Sequence, residues 1–305
     1  MNSKAIKYSE NWNVPTEKTL IVTGGNSGVG FELLRHVLRR KWKVILAVRN
    51  MQRGLAAKEK LLAEFPDASI EVWYLDLSSL DSINSFCEHI VTQQIVFDVF
   101  YANAGVYCIP YQVAEYGMEM TAWVNFVANY VLYTKLKDYV FSLSRPVKWI
   151  LTSSVVARFN TFVEDDFAAS KNYKKYAAYQ KSKCAVNMLF MKMQDECTGT
   201  NLLPLNVHPG TTHTPLIEKA YPNKGFARAA QIFMRRIFHS PEKASLSTLY
   251  VLREEVQSPV FCGPRGLFHM SGYPKIYHLY QGNLKRYKEI FAYLDKILQN
   301  ADIHV

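Results

Sequence analysis

The chain has 305 residues, with 36 Lys and Arg against 26 Asp and Glu, and a formal net charge of +10. This length suits one large α/β domain or two small ones. Apolar residues make up 49% of the chain, which excludes a disordered or low-complexity protein. The basic residues are spread out without a long polybasic run. They indicate a solvated surface and no nucleic-acid partner.

Five cysteines are present, and no pair has the C-x-x-C spacing of a zinc or redox site. This usage fits a reducing compartment and predicts no bound metal. The first fifteen residues lack an apolar stretch of signal-peptide type. No window reaches the apolar length that spans a bilayer. We therefore expect a cytoplasmic protein.

Residues 1–18 are predicted to form a short polar leader, after which apolar runs typical of buried strands alternate with segments of helical spacing. This alternation predicts an α/β fold with a doubly wound, mostly parallel sheet of Rossmann type. We expect a single domain over residues 19–305, with a C-terminal substrate lid at about 211–245. In chain order the pattern predicts a strand at 19–23, a helix at 31–40, a strand at 43–48, a helix at 52–65, a strand at 70–75, a helix at 80–92, a strand at 97–102, a helix at 115–143, a strand at 148–153, a helix at 179–196, a strand at 203–208 and a final helix at 282–298.

A glycine-rich turn, TGGNSGVG, joins the first predicted strand to the first helix. Glycines allow backbone amides to approach a pyrophosphate closely, and the helix N-terminus adds partial positive charge. The spacing differs from the G-x-G-x-x-G of long-chain dehydrogenases. The candidate phosphate-binding residues of this turn are Thr23, Gly24, Asn26, Ser27, Gly28, Val29 and Gly30.

This turn resembles the T-G-x-x-x-G-x-G cofactor motif of the short-chain dehydrogenase/reductase family. Asn103-Ala104-Gly105 is similar to the N-A-G motif that closes the fourth strand of that family beside the adenine ribose. Asp76, followed by Leu77, resembles the family's acidic residue at the adenine ring. The resemblance spans roughly residues 18–285 and implies that these residues line a nicotinamide cofactor site.

The end of the second predicted strand favours NADP(H) over NAD(H). An NAD site usually places Asp or Glu there to bind the ribose hydroxyls, but this chain has Val48 followed by Arg49. A guanidinium binds a 2′-phosphate through paired, charge-assisted hydrogen bonds. Arg53, in the next predicted helix, is placed to add a second positive charge near the same phosphate. NAD(H) is the less favoured alternative, because Asn26 and Ser27 stand where some NADP-preferring members of the family have a basic residue.

Tyr179 and Lys183 form a Y-x-x-x-K pattern, which places both side chains on one helical face. Interconverting a carbonyl and an alcohol moves a proton on oxygen, and a free tyrosine with a pKa of about 10 is a poor base near neutral pH. A cation about 4 Å from the phenolate stabilises it by on the order of 4 kcal/mol at an effective dielectric of about 20. Desolvation opposes this effect. Lys183 and an oxidised nicotinamide are therefore expected to lower the pKa of Tyr179.

The family resemblance implies two further catalytic residues. Its serine matches Ser154, at the carboxyl end of the WILTSS strand, with Ser153 as the alternate. Its asparagine, in the preceding long helix, matches Asn125, with Asn129 one turn later as the rival.

After the sixth predicted strand, Pro209, Gly210 and Thr214 match the family's P-G-x-x-x-T segment. The resemblance implies that this segment runs along the nicotinamide. His208 is assigned to packing at the strand end and His213 to a loop, because Y-x-x-x-K already supplies the acid and base.

The long insert between Ser154 and Tyr179 resembles the branch that holds retinol dehydrogenases and light-dependent protochlorophyllide reductase. That resemblance implies a hydrophobic carbonyl or alcohol substrate of retinoid, steroid or lipid type. Apolar walls with few polar anchors fit such a ligand, although the same residues can simply pack under a lid. The candidate wall residues are Tyr107, Ile109, Tyr111, Phe159, Phe162, Phe226, Ile232, Phe233, Met234, Ile237 and Phe238.

Several alternatives stay open at this stage. Residues 226–238 mix arginines with apolar residues, so this predicted lid helix either folds over the substrate or lies on a membrane surface. The chain is expected to be either a monomer or a homo-oligomer. A non-catalytic sensor or scaffold that binds NADP(H) is the alternative to an enzyme, and a full set of four catalytic residues disfavours it.

Overall fold

A computed structural model describes residues 8–169, 172–211, 240–266, 269–279, 282 and 284–300. Within them, eight strands form one sheet in the order β3-β2-β1-β4-β5-β6-β7-β8. Neighbouring strands are parallel except β7 and β8, which are antiparallel. The predicted mostly parallel, doubly wound fold is confirmed. The strands are β1 (Thr19–Thr23), β2 (Lys43–Val48), β3 (Ile70–Tyr74), β4 (Val99–Ala102), β5 (Val147–Thr152), β6 (Leu202–Val207), β7 (Val260–Pro264) and β8 (Pro274–Tyr277).

Helices cover both faces of this sheet, and the central strands are therefore nearly continuous apolar runs. One apolar cluster joins the sheet to α3, α4, α5 and α7, and the other joins it to α1, α2 and α6. None of the helices in the described ranges is long and apolar enough to cross a membrane. The helices are α1 (Gly28–Leu38), α2 (Met51–Glu64), α3 (Leu80–Thr92), α4 (Ala128–Ser142), α5 (Lys175–Glu196), α6 (Pro241–Val251) and α7 (Tyr287–Asn300).

The helix predicted over residues 115–143 is not continuous. Its first residues form a short 3₁₀ turn, Glu115–Gly117, in which Tyr116 and Gly117 have φ of +55° and +71°. One α turn then leads into a π-helical segment, Trp123–Val127, which runs directly into α4. The buried Glu119 carboxylate accepts hydrogen bonds from the amides of Thr121 and Ala122, at 2.8 and 2.9 Å. This cap starts the helical stretch at residue 120, so the predicted start was wrong.

Strands β7 and β8 and helix α6 were not predicted from the sequence. Helix α6 begins with Pro241 after Ser240, whose hydroxyl accepts a hydrogen bond from the amide of Lys243 at 3.2 Å. Residues 241–245, the last part of the predicted lid, belong to this helix. Residues 212–239 lie outside the described residues, so the rest of the lid stays a prediction.

The described part of the predicted leader packs on the domain. Ser9 and Val14 are buried. The Trp42 indole donates to the carbonyl of Pro15 at 2.7 Å, and the amide of Glu254 donates to the carbonyl of Asn13 at 2.9 Å. Residues 8–18 therefore form part of the folded domain.

Candidate active site

The glycine turn lies where β1 meets α1, at the carboxyl edge of the sheet. Gly24 has φ of +65°, and a Cβ there would lie 2.9 Å from Cα of Ala104. A Cβ on Gly30 would lie 2.7 Å from Nδ2 of Asn103. Helix α1 begins at Gly28, three residues before the predicted start, and the side chain of Ser27 makes no capping hydrogen bond. The first amides of α1 therefore stay available to an anion, and this cradle fits a pyrophosphate.

Thr23 and Asn103 hold this turn against the end of β4. The Asn103 amide nitrogen, Nδ2, donates to the carbonyls of Thr23 and Gly24, at 3.0 and 3.1 Å. The Thr23 hydroxyl accepts from the backbone amides of Asn103 and Ala104, at 3.1 and 2.9 Å. The side chains of two predicted cofactor residues thus shape the turn through internal hydrogen bonds.

Asp76 and Leu77 follow β3 at the same edge. The Asp76 carboxylate oxygen Oδ1 accepts from the amide and the hydroxyl of Ser78, at 2.9 and 2.6 Å. The amide of Asp76 donates to the Ser82 hydroxyl at 2.9 Å. Leu77 is buried. These contacts fix the loop after β3 at the carboxyl edge of the sheet.

Arg49 and Arg53 are exposed at the end of β2 and in the first turn of α2. Asn50 caps α2 by accepting from the amide of Arg53 at 2.9 Å. Val48, where an NAD site would carry an acid, is buried. Over the described ranges, neither guanidinium forms an ion pair. Two cations beside a helix N-terminus suit a phosphate.

Lys183 lies buried on α5, with 5% of its surface exposed. Its ammonium Nζ donates to the carbonyl of Thr152 at 2.8 Å, at the end of β5. The same atom would lie 3.7 Å from a Cβ on Gly105, the last residue of the N-A-G motif. Burial lowers the pKa of Lys183 to about 8.

The structure brings Tyr179 near this ammonium and Ser154 next to Tyr179. Lys183 Nζ lies 5.9 Å from the centroid of the Tyr179 ring, and Tyr107 packs edge-on against that ring at 4.6 Å. Burial raises the pKa of Tyr179 to about 12, and a side-chain hydrogen bond with Ser154 partly opposes the rise. Without a bound cofactor, the phenol is therefore protonated at neutral pH.

The two candidate serines lie in different surroundings. Ser154 is half-buried and starts a short 3₁₀ helix, Val155–Phe159, whereas Ser153 is buried with 1% of its surface exposed. Ser154 is thus the serine that meets Tyr179.

Asn125 lies in the π-helical segment and faces the chain after Gly105. Its side chain accepts from the amide of Val106 at 2.8 Å and donates to the Val106 carbonyl and the Ser182 hydroxyl, both at 3.0 Å. Asn129 instead donates to the backbone carbonyl of Asn125 at 2.9 Å. Asn125 therefore connects the N-A-G segment to α5, and Asn129 supports it from the next turn.

The segment after β6 turns sharply at Gly210, which has φ of +76°. A Cβ there would lie 2.5 Å from the carbonyl oxygen of Met270. The amide of Thr211 donates to that same oxygen at 2.9 Å. Pro209 and Gly210 are half-buried at the carboxyl edge, and Thr214 lies outside the described residues. His208 is buried against Gly263, in agreement with a packing role.

The predicted apolar walls divide into two groups. Phe162 packs in the core against Phe126 and Phe167, at centroid distances of 5.5 and 5.0 Å, so its assignment as a pocket wall was wrong. Tyr107 and Ile109 are half-buried beside the site, and Tyr111 and Phe159 are exposed. The six wall residues between 226 and 238 lie outside the described residues.

Sequence reasoning missed two groups that position the site. One is the Thr152 carbonyl, which holds Lys183, and the other is the Ser182 hydroxyl, which accepts from Asn125. Backbone carbonyls carry no sequence signal. Ser182, inside the Y-x-x-x-K pattern, was a visible candidate. A cleft of about 600 Å³ beside residues 141–146 and 199–201 lies at the opposite edge of the sheet and contains none of the predicted site residues.

The model of the short chain dehydrogenase family matches residues 18–225. The chain belongs to this family. Its relatives include polyprenol dehydrogenase of Danio rerio, 28% identical over 76% of this chain and 73% of the relative. Short-chain dehydrogenase TIC 32 B, chloroplastic, of Brassica napus is 32% identical over 76% of this chain and 75% of the relative. Retinol dehydrogenase 14 of Homo sapiens is 31% identical over 65% of this chain and 63% of the relative. The predicted likeness to retinol dehydrogenases is confirmed.

Solved structures share the fold. A putative uncharacterized protein from Mycobacterium paratuberculosis has a TM-score of 0.73 and 24% identity, covering 95% of this chain and 97% of its own. A short chain dehydrogenase from Shigella flexneri, solved in complex with NADP, has a TM-score of 0.62 and 19% identity, covering 81% and 95%. Family membership makes this short-chain dehydrogenase an oxidoreductase of the carbonyl/alcohol type, with a fold that binds nicotinamide cofactors.

Proposed function

We propose that this short-chain dehydrogenase uses NADP(H) to interconvert a carbonyl and an alcohol on a hydrophobic small molecule, with Tyr179 as the acid and base. The observation that carries the proposal is the meeting of Ser154, Tyr179 and Lys183 at the carboxyl edge of the sheet, next to the glycine turn. Ligands of open α/β sheets bind at this edge.

The nicotinamide, when bound, supplies the hydride or accepts it. The chain's own residues manage the proton. Tyr179 is protonated at neutral pH because burial raises its pKa, so its hydroxyl is ready to donate a proton to the substrate oxygen when the carbonyl carbon gains a hydride. Ser154 orients that oxygen through its own hydroxyl. The ammonium of Lys183, held by Thr152, stabilises the phenolate left after proton transfer.

The preference for NADP(H) rests on Arg49 and Arg53. Both are exposed next to the capped N-terminus of α2, and Val48 removes the carboxylate that would repel a 2′-phosphate. NADPH would make carbonyl reduction the favoured direction, which agrees with a protonated Tyr179.

The apolar substrate class rests on Tyr107 and Ile109, which follow the N-A-G motif beside the Tyr179 ring. Apolar and aromatic walls with few polar groups are typical of sites for hydrophobic ligands. The likeness to retinol and polyprenol dehydrogenases supports the same class.

The test is oxidation of NADPH, followed by its absorbance, with a panel of aliphatic, aromatic and polyene aldehydes and ketones. We expect turnover with apolar members of the panel and a kcat/KM at least tenfold higher with NADPH than with NADH. Tight NADPH binding without turnover of any member would favour the alternative, a non-catalytic sensor or scaffold. Equal use of both cofactors would overturn the NADP(H) assignment.

A further inference from the structure

A second cleft, of about 750 Å³, lies at the carboxyl edge of the sheet beyond the predicted catalytic residues. It is formed by the 3₁₀ helix after β5 and by the connection from β7 into β8. We call it the basic cleft. Its lining residues are Arg158, Arg265, Gly266, His269, Lys275 and Tyr277. Three of the six carry a positive charge and none is acidic, so the lining favours an anion.

The position of the basic cleft connects it to the candidate active site. Arg158 lies four residues after Ser154, in the short helix that Ser154 starts. At about 2 Å per residue, this spacing is on the order of 8 Å. On the other side, His269 precedes Met270, whose carbonyl accepts from the amide of Thr211 at 2.9 Å. The cleft therefore adjoins both the serine and the segment predicted to follow the nicotinamide.

Hydrogen bonds hold the described residues that line the cleft. The amide of Arg265 donates to the carbonyl of Tyr273 at 2.8 Å, and that of Gly266 donates to Ser271 at 2.7 Å. The His269 ring stacks on Tyr277 at 3.9 Å, and the Tyr277 hydroxyl donates to the carbonyl of Pro264 at 2.8 Å. A site held in place before binding loses less entropy when a ligand binds.

The positively charged side chains all line the basic cleft. Burial and the charges of Arg158 and Lys275 lower the pKa of His269, and all three residues line the same cleft. Throughout the described ranges, neither Arg265 nor Lys275 forms an ion pair. Guanidinium groups bind carboxylates and phosphates through paired hydrogen bonds.

We propose that the basic cleft binds an anionic head group, a carboxylate or phosphate, on the substrate whose carbonyl or alcohol reacts at Tyr179. This inference rests on the proposed function and narrows it, since the substrate would be amphipathic: an apolar chain with an acidic end. Arg265 and Lys275, which form no ion pair within the described ranges, would supply the positive charge for that end.

The first test compares two matched probes, an ω-hydroxy fatty acid and its methyl ester, whose equilibrium binding to the full chain requires no turnover. We expect the acid to bind at least tenfold more tightly than the ester. In the double variant Arg265→Gln/Lys275→Gln, the affinity for the acid should fall at least tenfold, while the affinity for the ester should change less than twofold. Lys296→Gln, which removes an exposed charge on α7, is the control and should change neither affinity. Equal affinity for both probes, or equal losses in the double variant, would overturn the proposal.

A second arm separates a substrate head group from a free anion. Inorganic phosphate alone should compete only weakly with the acid probe, because it lacks the apolar chain. Phosphate that binds as tightly as the acid probe would contradict the substrate assignment. The third arm measures NADPH-dependent reduction of the matching ω-oxo acid and its ester. If the acid probe binds selectively but no carbonyl compound is reduced, the proposed function fails while the anion site stands.

Discussion

At the residue scale, Tyr179 and Lys183 both lie in surroundings that oppose their charged forms. Burial raises the pKa of Tyr179 to about 12 and lowers that of Lys183 to about 8. The sequence predicted a Tyr179 pKa lowered by Lys183 together with an oxidised nicotinamide. In the chain without its cofactor, desolvation of Tyr179 dominates. In the proposed mechanism, the positive charge of an oxidised nicotinamide would lower the pKa of Tyr179 when an alcohol is oxidised.

Lys183→Met is expected to abolish turnover and to stabilise the fold at pH 7. The folded pKa of Lys183 lies below its unfolded value, so the charged form destabilises the folded state at pH values below 8. We expect the variant to gain about 1–3 kcal/mol in the free energy of unfolding at pH 7, less the loss of its bond to Thr152. The gain should shrink as the pH rises from 8 towards 10.5. Urea unfolding at several pH values measures it, with Lys296→Met as the control. A variant that is less stable at pH 7 would contradict this assignment.

Arg49→Gln/Arg53→Gln tests the phosphate site. Removing two charge-assisted contacts should raise the Kd of NADPH at least tenfold. The Kd of NADH, which has no 2′-phosphate, should change less than twofold. Lys60→Gln, exposed about two turns further along α2, serves as the matched control. Titration of both cofactors checks the prediction, and a parallel loss for NADPH and NADH would refute it.

Residue patterns with fixed spacing could be predicted because the chemistry needs them. Tyr179 and Lys183 lie one turn apart on α5, as the sequence indicated. Ser154 lies two residues beyond the end of β5, where it starts the short 3₁₀ helix. The choice between Asn125 and Asn129 could not be made from spacing, since both lie on one face. It depends on Val106 and Ser182, which approach only in the folded chain.

At the element scale, the glycine turn and α1 form a cradle that tolerates no added carbon at two positions. Gly24 has a positive φ and a Cβ there would clash with Ala104, whereas Gly199 has φ of +80° and a Cβ there would meet nothing within 4 Å among the described residues. Substitutions at these two glycines therefore distinguish the effect of a positive φ from the effect of a steric clash.

Gly24→Ala and Gly199→Ala should therefore differ. Both substitutions carry the cost of a positive φ, about 1 kcal/mol each. Only Gly24→Ala also pushes β1 away from the N-A-G segment, so it should raise the Kd of NADPH at least tenfold. Isothermal titration with thermal unfolding checks this. Unchanged NADPH affinity in Gly24→Ala would argue against the cradle.

Strands β1 to β6 could be predicted from their apolar runs, with ends correct to within two residues. The break before α4 could not, because it depends on the buried Glu119 and on a π-helical segment with no sequence signature. Helix α6 was missed despite a readable signal, a Ser240 cap followed by Pro241. Strand β8 is short and half-exposed, which weakened its pattern.

At the scale of the whole molecule, the C-terminal helix α7 completes the core on one side of the sheet. Phe291 packs against Phe126 and Tyr130, at centroid distances of 5.6 and 4.9 Å. Leu294 and Leu298 are fully buried in the same apolar cluster. Phe126 lies next to Asn125, so α7 supports the π-helical segment that holds the site.

Leu294→Ala should destabilise the whole domain. Truncating a fully buried leucine costs about 2–5 kcal/mol, and the missing volume lies in the cluster shared with α4 and α5. Lys296→Ala, two residues later and exposed, should change stability by less than about 0.5 kcal/mol. Urea unfolding of both variants measures the difference. Similar stability in the two would mean that α7 contributes little to the core.

The most direct test of the central claim is turnover by Tyr179→Phe at a measured NADPH affinity. Tyr293→Phe, which removes a hydroxyl from an exposed ring on α7, is the matched control. We expect Tyr179→Phe to bind NADPH as the unmodified chain does and to lose at least 100-fold in kcat, since only the proton donor is gone. Tyr293→Phe should keep full activity. Tyr179→Phe with normal kcat would contradict the assignment of Tyr179 as the group that moves the proton.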